Sequence, residues 1–227
     1  MQKNIEIELK YQVLHRMQVQ EFLKGLDFVD KKRVVDVYLD TKEGDLYKKG
    51  IFVRVRDGKT LDFKYNLEDF RSLDKMSRHE HCNEYSFLLP LAAELMEPIN
   101  QNCKILGLIE ISKPDLGELK SKNNLIDSMI IDKIRQKFKD GKFEYSFDEV
   151  KGLGRFLEIE AEGKEGENFE EIKQQIREKV KDLKLKLITT GYNEVYWRKY
   201  NFNLYLQGRY LFEEDYEKYR PLARKRN

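Results

Sequence analysis

Ile5-Glu6-Ile7-Glu8-Leu9-Lys10-Tyr11, near the start of the chain, and Leu157-Glu158-Ile159-Glu160-Ala161-Glu162, much later, both alternate an apolar residue with a charged one. Successive side chains of a β-strand point to opposite faces. Glu6, Glu8 and Lys10 therefore share one face, and Ile5, Ile7, Leu9 and Tyr11 share the other. The later stretch divides the same way, with Glu158, Glu160 and Glu162 against Leu157, Ile159 and Ala161. Between them lies Ile51-Phe52-Val53-Arg54-Val55-Arg56, whose charged positions are both arginine. Two acidic strands and one Arg-x-Arg strand supply what is needed to hold divalent cations beside a polyanion. That combination points to phosphate chemistry.

The same period-two reading extends along the chain. Residues 3–11, 34–41, 50–56, 60–66, 78–89, 129–139, 142–150 and 156–162 read as strands. Asp57-Gly58 and Asp140-Gly141 each separate two such runs and read as hairpin turns. Helical spacing marks 14–26, the run from 91 to about 106 after Pro90, and 167 to about 187, where Phe169, Ile172, Ile176, Val180, Leu183 and Leu187 form one stripe. Residues 107–128, broken by Pro114, Gly117 and Asn123-Asn124, read as an insertion. The aromatic and charged tail from 192 to 219 reads as mostly helix. No internal repeat or linker composition interrupts the chain, so 1–227 is expected to form one domain.

Of the 227 residues 40% are hydrophobic, 12% aromatic and 37% charged, a polar composition that still supports a core. A formal net charge of +2 argues against a general nucleic-acid binder. Cys82 and Cys103 are the only cysteines and have no CxxC spacing, so two free thiols in a reducing compartment are expected. The chain opens directly on a charged strand, and no stretch approaches the roughly 18 apolar residues of a membrane span. A cytoplasmic location is expected.

Gathered by face, the alternate polar residues are Glu6, Glu8 and Lys10; Arg54 and Arg56; Asp62 and Lys64; Arg78 and Glu80; Lys133, Arg135 and Lys137; Glu144, Ser146 and Asp148; and Glu158, Glu160 and Glu162. The plainer reading is an antiparallel sheet with one face turned to water. Two features favour a site instead. The set is almost wholly ionisable, whereas a solvated face mixes in Thr, Ser and Gln. Its signs are also segregated, with acids on the first and last strands and bases on middle ones. About eight such strands could close into a barrel lined with charge. Unpaired charges are too costly to bury, so that interior would hold water, ions and a charged ligand.

Taken in order, these residues resemble the CYTH family, the triphosphate tunnel metalloenzymes. The family's ExExK strand stands here as Glu6-Ile7-Glu8-Leu9-Lys10. Then come Tyr38-Leu39-Asp40-Thr41, Leu46 and Gly50 leading into Arg54-x-Arg56, and the Lys64 strand. Arg78-x-Glu80, Lys133-x-Arg135, Asp148-Glu149-Val150 with Gly152-x-Gly154, and Phe156-Leu157-Glu158-Ile159-Glu160 complete the series. A lone ExExK strand is a weak signal; the ordered series, covering about residues 3–165 with helices over 167–220 beyond it, is specific. The resemblance implies an α+β fold: a closed eight-stranded antiparallel β-barrel, open as a tunnel, with helices packed outside.

The resemblance also implies roles. Lys10, Arg54, Arg56, Lys64, Arg78, Lys133 and Arg135 would grip phosphates, for which the planar fork of arginine is suited. Glu6, Glu8, Glu158 and Glu160 would hold Mg²⁺ or Mn²⁺, hard cations that take carboxylate oxygens. Lys10, Glu80 and Asp148 would stand at the catalytic centre, the two acids as further ligands or orienters. The implied activity is metal-dependent hydrolysis of a triphosphate, either inorganic tripolyphosphate or an organic one such as thiamine triphosphate. A class IV adenylyl cyclase making cyclic AMP from ATP is the alternative. Against it, Gly50-Ile51-Phe52 stands where many cyclases carry a His-Phe pair. A non-catalytic polyphosphate or nucleotide binder is a second alternative, disfavoured by the intact glutamate pairs. The expected partner is a small-molecule triphosphate, with no stable nucleic-acid partner and no membrane; a homodimer is left open.

Other residues invite different readings. His79 and His81 flank Glu80 beside Cys82, but alternation puts both histidines opposite Glu80 and no second His/Cys cluster exists, so zinc is set aside. No Walker-type glycine-rich loop is present. Trp197 and its neighbouring tyrosines read as packing rather than a stacking platform. The basic run at 224–226 reads as a solvated tail.

Overall fold

The computed structural model describes residues 5–66, 83–163 and 168–223. Expectations placed on Arg78, His79, Glu80, His81, Cys82 and the run at 224–226 lie outside these residues. The chain opens with β1 (Ile5–Val13), α1 (Arg16–Lys24), β2 (Asp27–Asp40), the short α2 (Asp45–Lys49), β3 (Phe52–Arg56), β4 (Thr60–Tyr65) and β5 (Asn83–Leu88). Next come α3 (Met96–Leu106), α4 (Leu116–Lys122), β6 (Ile126–Asp140), β7 (Phe143–Val150) and β8 (Gly154–Gly163). It closes with α5 (Phe169–Val180), β9 (Leu185–Ile188), α6 (Tyr192–Tyr200), α7 (Phe202–Gln207) and α8 (Glu213–Ala223).

The strands hydrogen-bond in the order β5-β4-β3-β2-β6-β7-β8-β1-β9. This is an α+β fold built on a large antiparallel sheet, and it corrects the expectation of eight strands closed into a barrel. The ninth strand, β9, occupies the second edge of β1, with Tyr11 opposite Leu187. Among the described residues β5 and β9 remain edges, which a closed barrel would lack. The helix expected to reach residue 187 stops at Val180 for the same reason. Lys184-Leu185-Lys186-Leu187 carries a period-two signal that the helical stripe had absorbed. The segment read as an insertion contains α4, capped by Asp115 through its bond from the Gly117 N–H at 2.8 Å, and the start of β6.

The chain divides into two compact units, residues 1–34 with 132–189 and residues 35–131 with 190–227. In the first, Ile7, Tyr11, Tyr145, Phe147, Leu157 and Ile159 pack against Val19 and Leu23 of α1 and Ile172, Ile176 and Val180 of α5. The apolar face of β1, β7 and β8 is thus the helix-covered one. Register then places Glu6 opposite Glu162, Glu8 opposite Glu160 and Lys10 opposite Glu158 on the other face. The second hairpin turns at Gly141-Lys142, since Asp140 pairs with Phe143. Gly141 takes the positive φ of 58° at the first loop position.

In the second unit Val53, Leu61, Phe63 and Phe87 pack with Ile99, Cys103 and Leu106 of α3 and Leu119 of α4. Cys103 is a free thiol inside this core. The β3–β4 turn uses Asp57 and Gly58 at positive φ, as their sequence predicts. Asp57 also ties the turn to β2, accepting from the Val35 N–H at 2.7 Å. Asp40 holds the start of α2: its carboxylate accepts from the N–H groups of Thr41, Leu46 and Tyr47 at 2.7–2.9 Å. Trp197 packs beside Tyr47, Phe52, Leu204 and Tyr210. Gly50, at φ +75°, has no room for a side chain there, because an added Cβ would lie 2.9 Å from Arg209.

Leu61 is fully buried on the apolar face of β4. Leu61→Ala is expected to lower unfolding free energy by about 2–5 kcal/mol. Urea denaturation should show the midpoint falling with its slope unchanged.

Candidate functional site

In the first unit the polar face carries one continuous chain of ion pairs. Asp148, on β7, is fully buried and accepts from Lys133 Nζ at 2.9 Å and from Arg135 Nε and Nη2 at 2.8 and 2.7 Å. Arg135 also reaches Glu158 at 3.3 Å. Lys10 lies 3.0 Å from Glu158 and 2.7 Å from Glu8. Alternation on β1, β6, β7 and β8 assembles the group, and register sets the neighbours, Arg135 standing opposite Asp148 and Lys10 opposite Glu158.

The protonation states follow from burial set against pairing. Burial alone would raise the Asp148 carboxyl, but the hydrogen bonds of Arg135 and the charges of Lys133 and Arg135 outweigh it and hold the group below the usual range. Glu158 is likewise held well below its ordinary value, chiefly by Lys10 and Arg135 acting against burial. Lys10 is desolvated too, yet Glu158 and Glu8 raise it well above an ordinary lysine. Lys133 goes the other way: burial lowers it despite Asp148.

The second unit holds a parallel arrangement. Arg54 donates to Asp62 at 2.8 Å through Nε and to Glu84 at 2.7 Å through Nη2. Arg56 forms a two-pronged bond to the buried Asp36 at 2.7 and 3.1 Å. Lys64 lies 3.7 Å from Glu84. Burial works against the Arg54 charge, and Tyr38, Asp36, Glu84 and Asp62 more than restore it.

Among the sequence-predicted residues the structure thus brings Lys10, Lys133, Arg135, Asp148, Glu8 and Glu158 together in one unit. Arg54, Arg56 and Lys64 come together in the other. Asp36 and Glu84 were not foreseen as partners. Asp36 alternates with Tyr38 and Asp40 along β2, so the rule that found the other polar positions could have found it. Glu84 stands directly opposite Lys64, a register that sequence alone does not give.

The donor set suits a hard divalent cation. It is all carboxylate oxygen, and the register sets Glu8 opposite Glu160, a like-charged pair that is unfavourable unless something compensates it. Lys10 supplies part of that compensation at Glu8. Among the described residues no three His, Cys, Asp or Glu groups converge as a metal cage. No helix among them is long and apolar enough to cross a membrane.

The CYTH domain profile matches residues 4–191, and the chain belongs to that family. The family's members include triphosphatases and adenylyl-cyclase-like enzymes. The chain is 29% identical over 158 residues to "Putative adenylate cyclase MJ0240" of Methanocaldococcus jannaschii, covering 69% of this chain and 76% of that one. Its fold is similar to that of the PH1819 protein of Pyrococcus horikoshii (TM-score 0.55, 21% identity, 86% of this chain and 99% of that one). A Vibrio parahaemolyticus protein described as a "putative adenylate cyclase" gives TM-score 0.55 at 16% identity, over 86% of this chain and 99% of its own.

Asp148→Asn removes the charge that Lys133 and Arg135 share, leaving Arg135 its longer contact with Glu158, and is expected to cost about 3–5 kcal/mol. Because the folded pKa of Asp148 is depressed, its contribution is present above the unfolded value of about 3.9 and lost as pH falls through the folded one. Thermal melts carried from pH 7 to about pH 2 should therefore fall more steeply below about pH 4 for the native protein than for Asp148→Asn.

Proposed function

We propose that this protein is a metal-dependent triphosphatase that releases the terminal phosphate of inorganic tripolyphosphate or of an organic triphosphate. The observation that carries the reading is the chain of ion pairs from the buried Lys133 and Asp148 through Arg135, Glu158 and Lys10 to the half-buried Glu8. It holds three cationic side chains at fixed positions beside carboxylates that face one another in register. Cations fixed in advance stabilise charge developing on a transferring phosphoryl group without having to reorganise.

In this reading Lys10, Lys133 and Arg135 grip phosphate oxygens, and Arg54, Arg56, Lys64 and Arg78 act in the same role. Asp148 works by holding Lys133 and Arg135, while Lys10 lies nearest the glutamates and Glu80 is a further ligand or orienter. Glu6, Glu8, Glu158 and Glu160 would hold Mg²⁺ or Mn²⁺. Such an ion, when bound, neutralises phosphate oxygens and makes a bound water more acidic. The chain's own cations orient the substrate so that its terminal phosphorus is open to in-line attack by water, with the remaining di- or pyrophosphate as leaving group. The family match runs through both units, which supports treating 1–227 as one functional domain. A cyclase reading, in which the ribose 3′-oxygen of ATP attacks the α-phosphorus, is favoured by the name of the Methanocaldococcus relative.

Tripolyphosphate, thiamine triphosphate and ATP, each with Mg²⁺ or Mn²⁺, should be assayed for orthophosphate and cyclic AMP together. The expected outcome is orthophosphate release that EDTA abolishes and added metal restores. Cyclic AMP from ATP without orthophosphate release would establish the cyclase reading. Binding without either product would overturn both in favour of a sensor.

Arg56→Lys keeps the charge but loses the planar fork that Asp36 holds in place and that, in this reading, grips phosphate oxygens. A lost charge-assisted bond is worth about 1.5–3 kcal/mol, so kcat/KM should fall roughly ten- to a hundredfold. Steady-state kinetics on folded variant protein measures this directly.

A further inference from the structure

Glu84 occupies an unusual place in the second unit's charged cluster. One of its carboxylate oxygens, Oε1, accepts from Arg54 Nη2 at 2.7 Å, and the other, Oε2, lies 3.7 Å from Lys64 Nζ. It therefore spans two cationic groups with two oxygens, as two oxygens of a phosphate would. Its companions are differently situated. Asp36 and Asp62 are almost wholly buried and hold Arg56 and Arg54 through Nε contacts of 2.7 and 2.8 Å. The Glu84 side chain is 38% exposed, against 3% for Asp62. The cluster thus has inner acids that fix the arginines and one outer acid that covers the remaining donors.

Resting on the phosphate-gripping role given above to Arg54 and Lys64, we propose that Glu84 is a resident counter-anion that an incoming phosphate displaces, and that it sets how tightly phosphates are held. The physical argument is an exchange. Any phosphate that binds Arg54 and Lys64 must first break the two Glu84 contacts, and the freed carboxylate, being solvent-exposed, is rehydrated at little cost. Every phosphate using these two groups meets the same competition, so removing the carboxylate should tighten substrate and product by a similar factor. Register makes the arrangement a built one: Glu84 sits opposite Lys64, and Asp62 opposite Arg54, on adjacent strands. A group that merely stabilised β5 would have no such effect on orthophosphate.

The test is calorimetric titration of the full-length protein in EDTA, where no turnover occurs, with inorganic tripolyphosphate and separately with orthophosphate. Native protein, Glu84→Gln, Glu84→Ala and Arg54→Ala are compared, the alanine variant at 84 guarding against a new contact made by glutamine. An exposed pair of this kind is expected to yield about a two- to fivefold tightening of both ligands in both Glu84 variants. Steady-state assays with metal should then show KM lowered and orthophosphate inhibition strengthened by the same factor. Arg54→Ala should weaken tripolyphosphate. If Arg54→Ala weakens binding while the Glu84 variants are unchanged or weaker, the counter-anion inference is overturned and the grip stands. If Arg54→Ala leaves tripolyphosphate affinity unchanged, the grip itself is rejected and this inference falls with it.

Discussion

The rest of the charged architecture depends on one constraint: a cation held away from water must have its counter-charge at hand. Asp148 meets it for Lys133 and Arg135 from a position with no solvent exposure. Asp36 and Asp62 meet it for Arg56 and Arg54. A basic side chain on a solvated strand would be flexible and would spend entropy on each ligand it met. Here the buried acids have already immobilised the guanidinium and ammonium groups. Replacing such pairs with apolar residues would often cost no stability. Their retention therefore fits a functional rather than a stabilising purpose.

That arrangement is only as reliable as the strand register beneath it. Ile7, Leu157 and Ile159 pack against α1 and α5, and a slip of one residue would turn Glu8, Glu158 and Glu160 into that core. The hydrophobic face thus locks the charged face, although the two share no side chains. The same coupling holds in the second unit, where Val53, Leu61 and Phe63 fix the sense in which Arg54, Asp62 and Lys64 point.

Period-two alternation made most of this legible in sequence. It identified β1, β3, β4, β7 and β8 and the polar face of each, because both faces of a strand are written in adjacent letters. It could not say how many strands would join or where the sheet would end. β9 is only four residues long and its leucines also fit a helical stripe. Residues 107–128 looked irregular because Pro114 and Gly117 flank the capped start of α4 rather than break up a loop. Among the site residues, the cations were legible because a charged strand is conspicuous. Their acidic partners were less so: Asp148 was taken as a ligand or orienter, and in the structure it accepts from Lys133 and Arg135. Glu84 acquires its meaning only from the β4–β5 register.

The pairing bears on what kind of anion can be taken up. The hydrogen-bonded chain in the first unit joins three cations, Lys10, Lys133 and Arg135, to three carboxylates, Glu8, Asp148 and Glu158. Arg54, Arg56 and Lys64 are likewise matched by Asp36, Asp62 and Glu84. Neither group presents a large net positive field, so long-range attraction cannot be the main source of affinity for a polyanion. Affinity must come from short-range exchange, each phosphate oxygen taking a donor from a carboxylate. A displaced carboxylate that is buried, such as Glu158, then needs a cation of its own, and a divalent ion arriving with the polyphosphate supplies one. A site balanced in this way favours a metal-complexed triphosphate over the bare anion, which gives the acidic strands a reason to lie beside the basic ones.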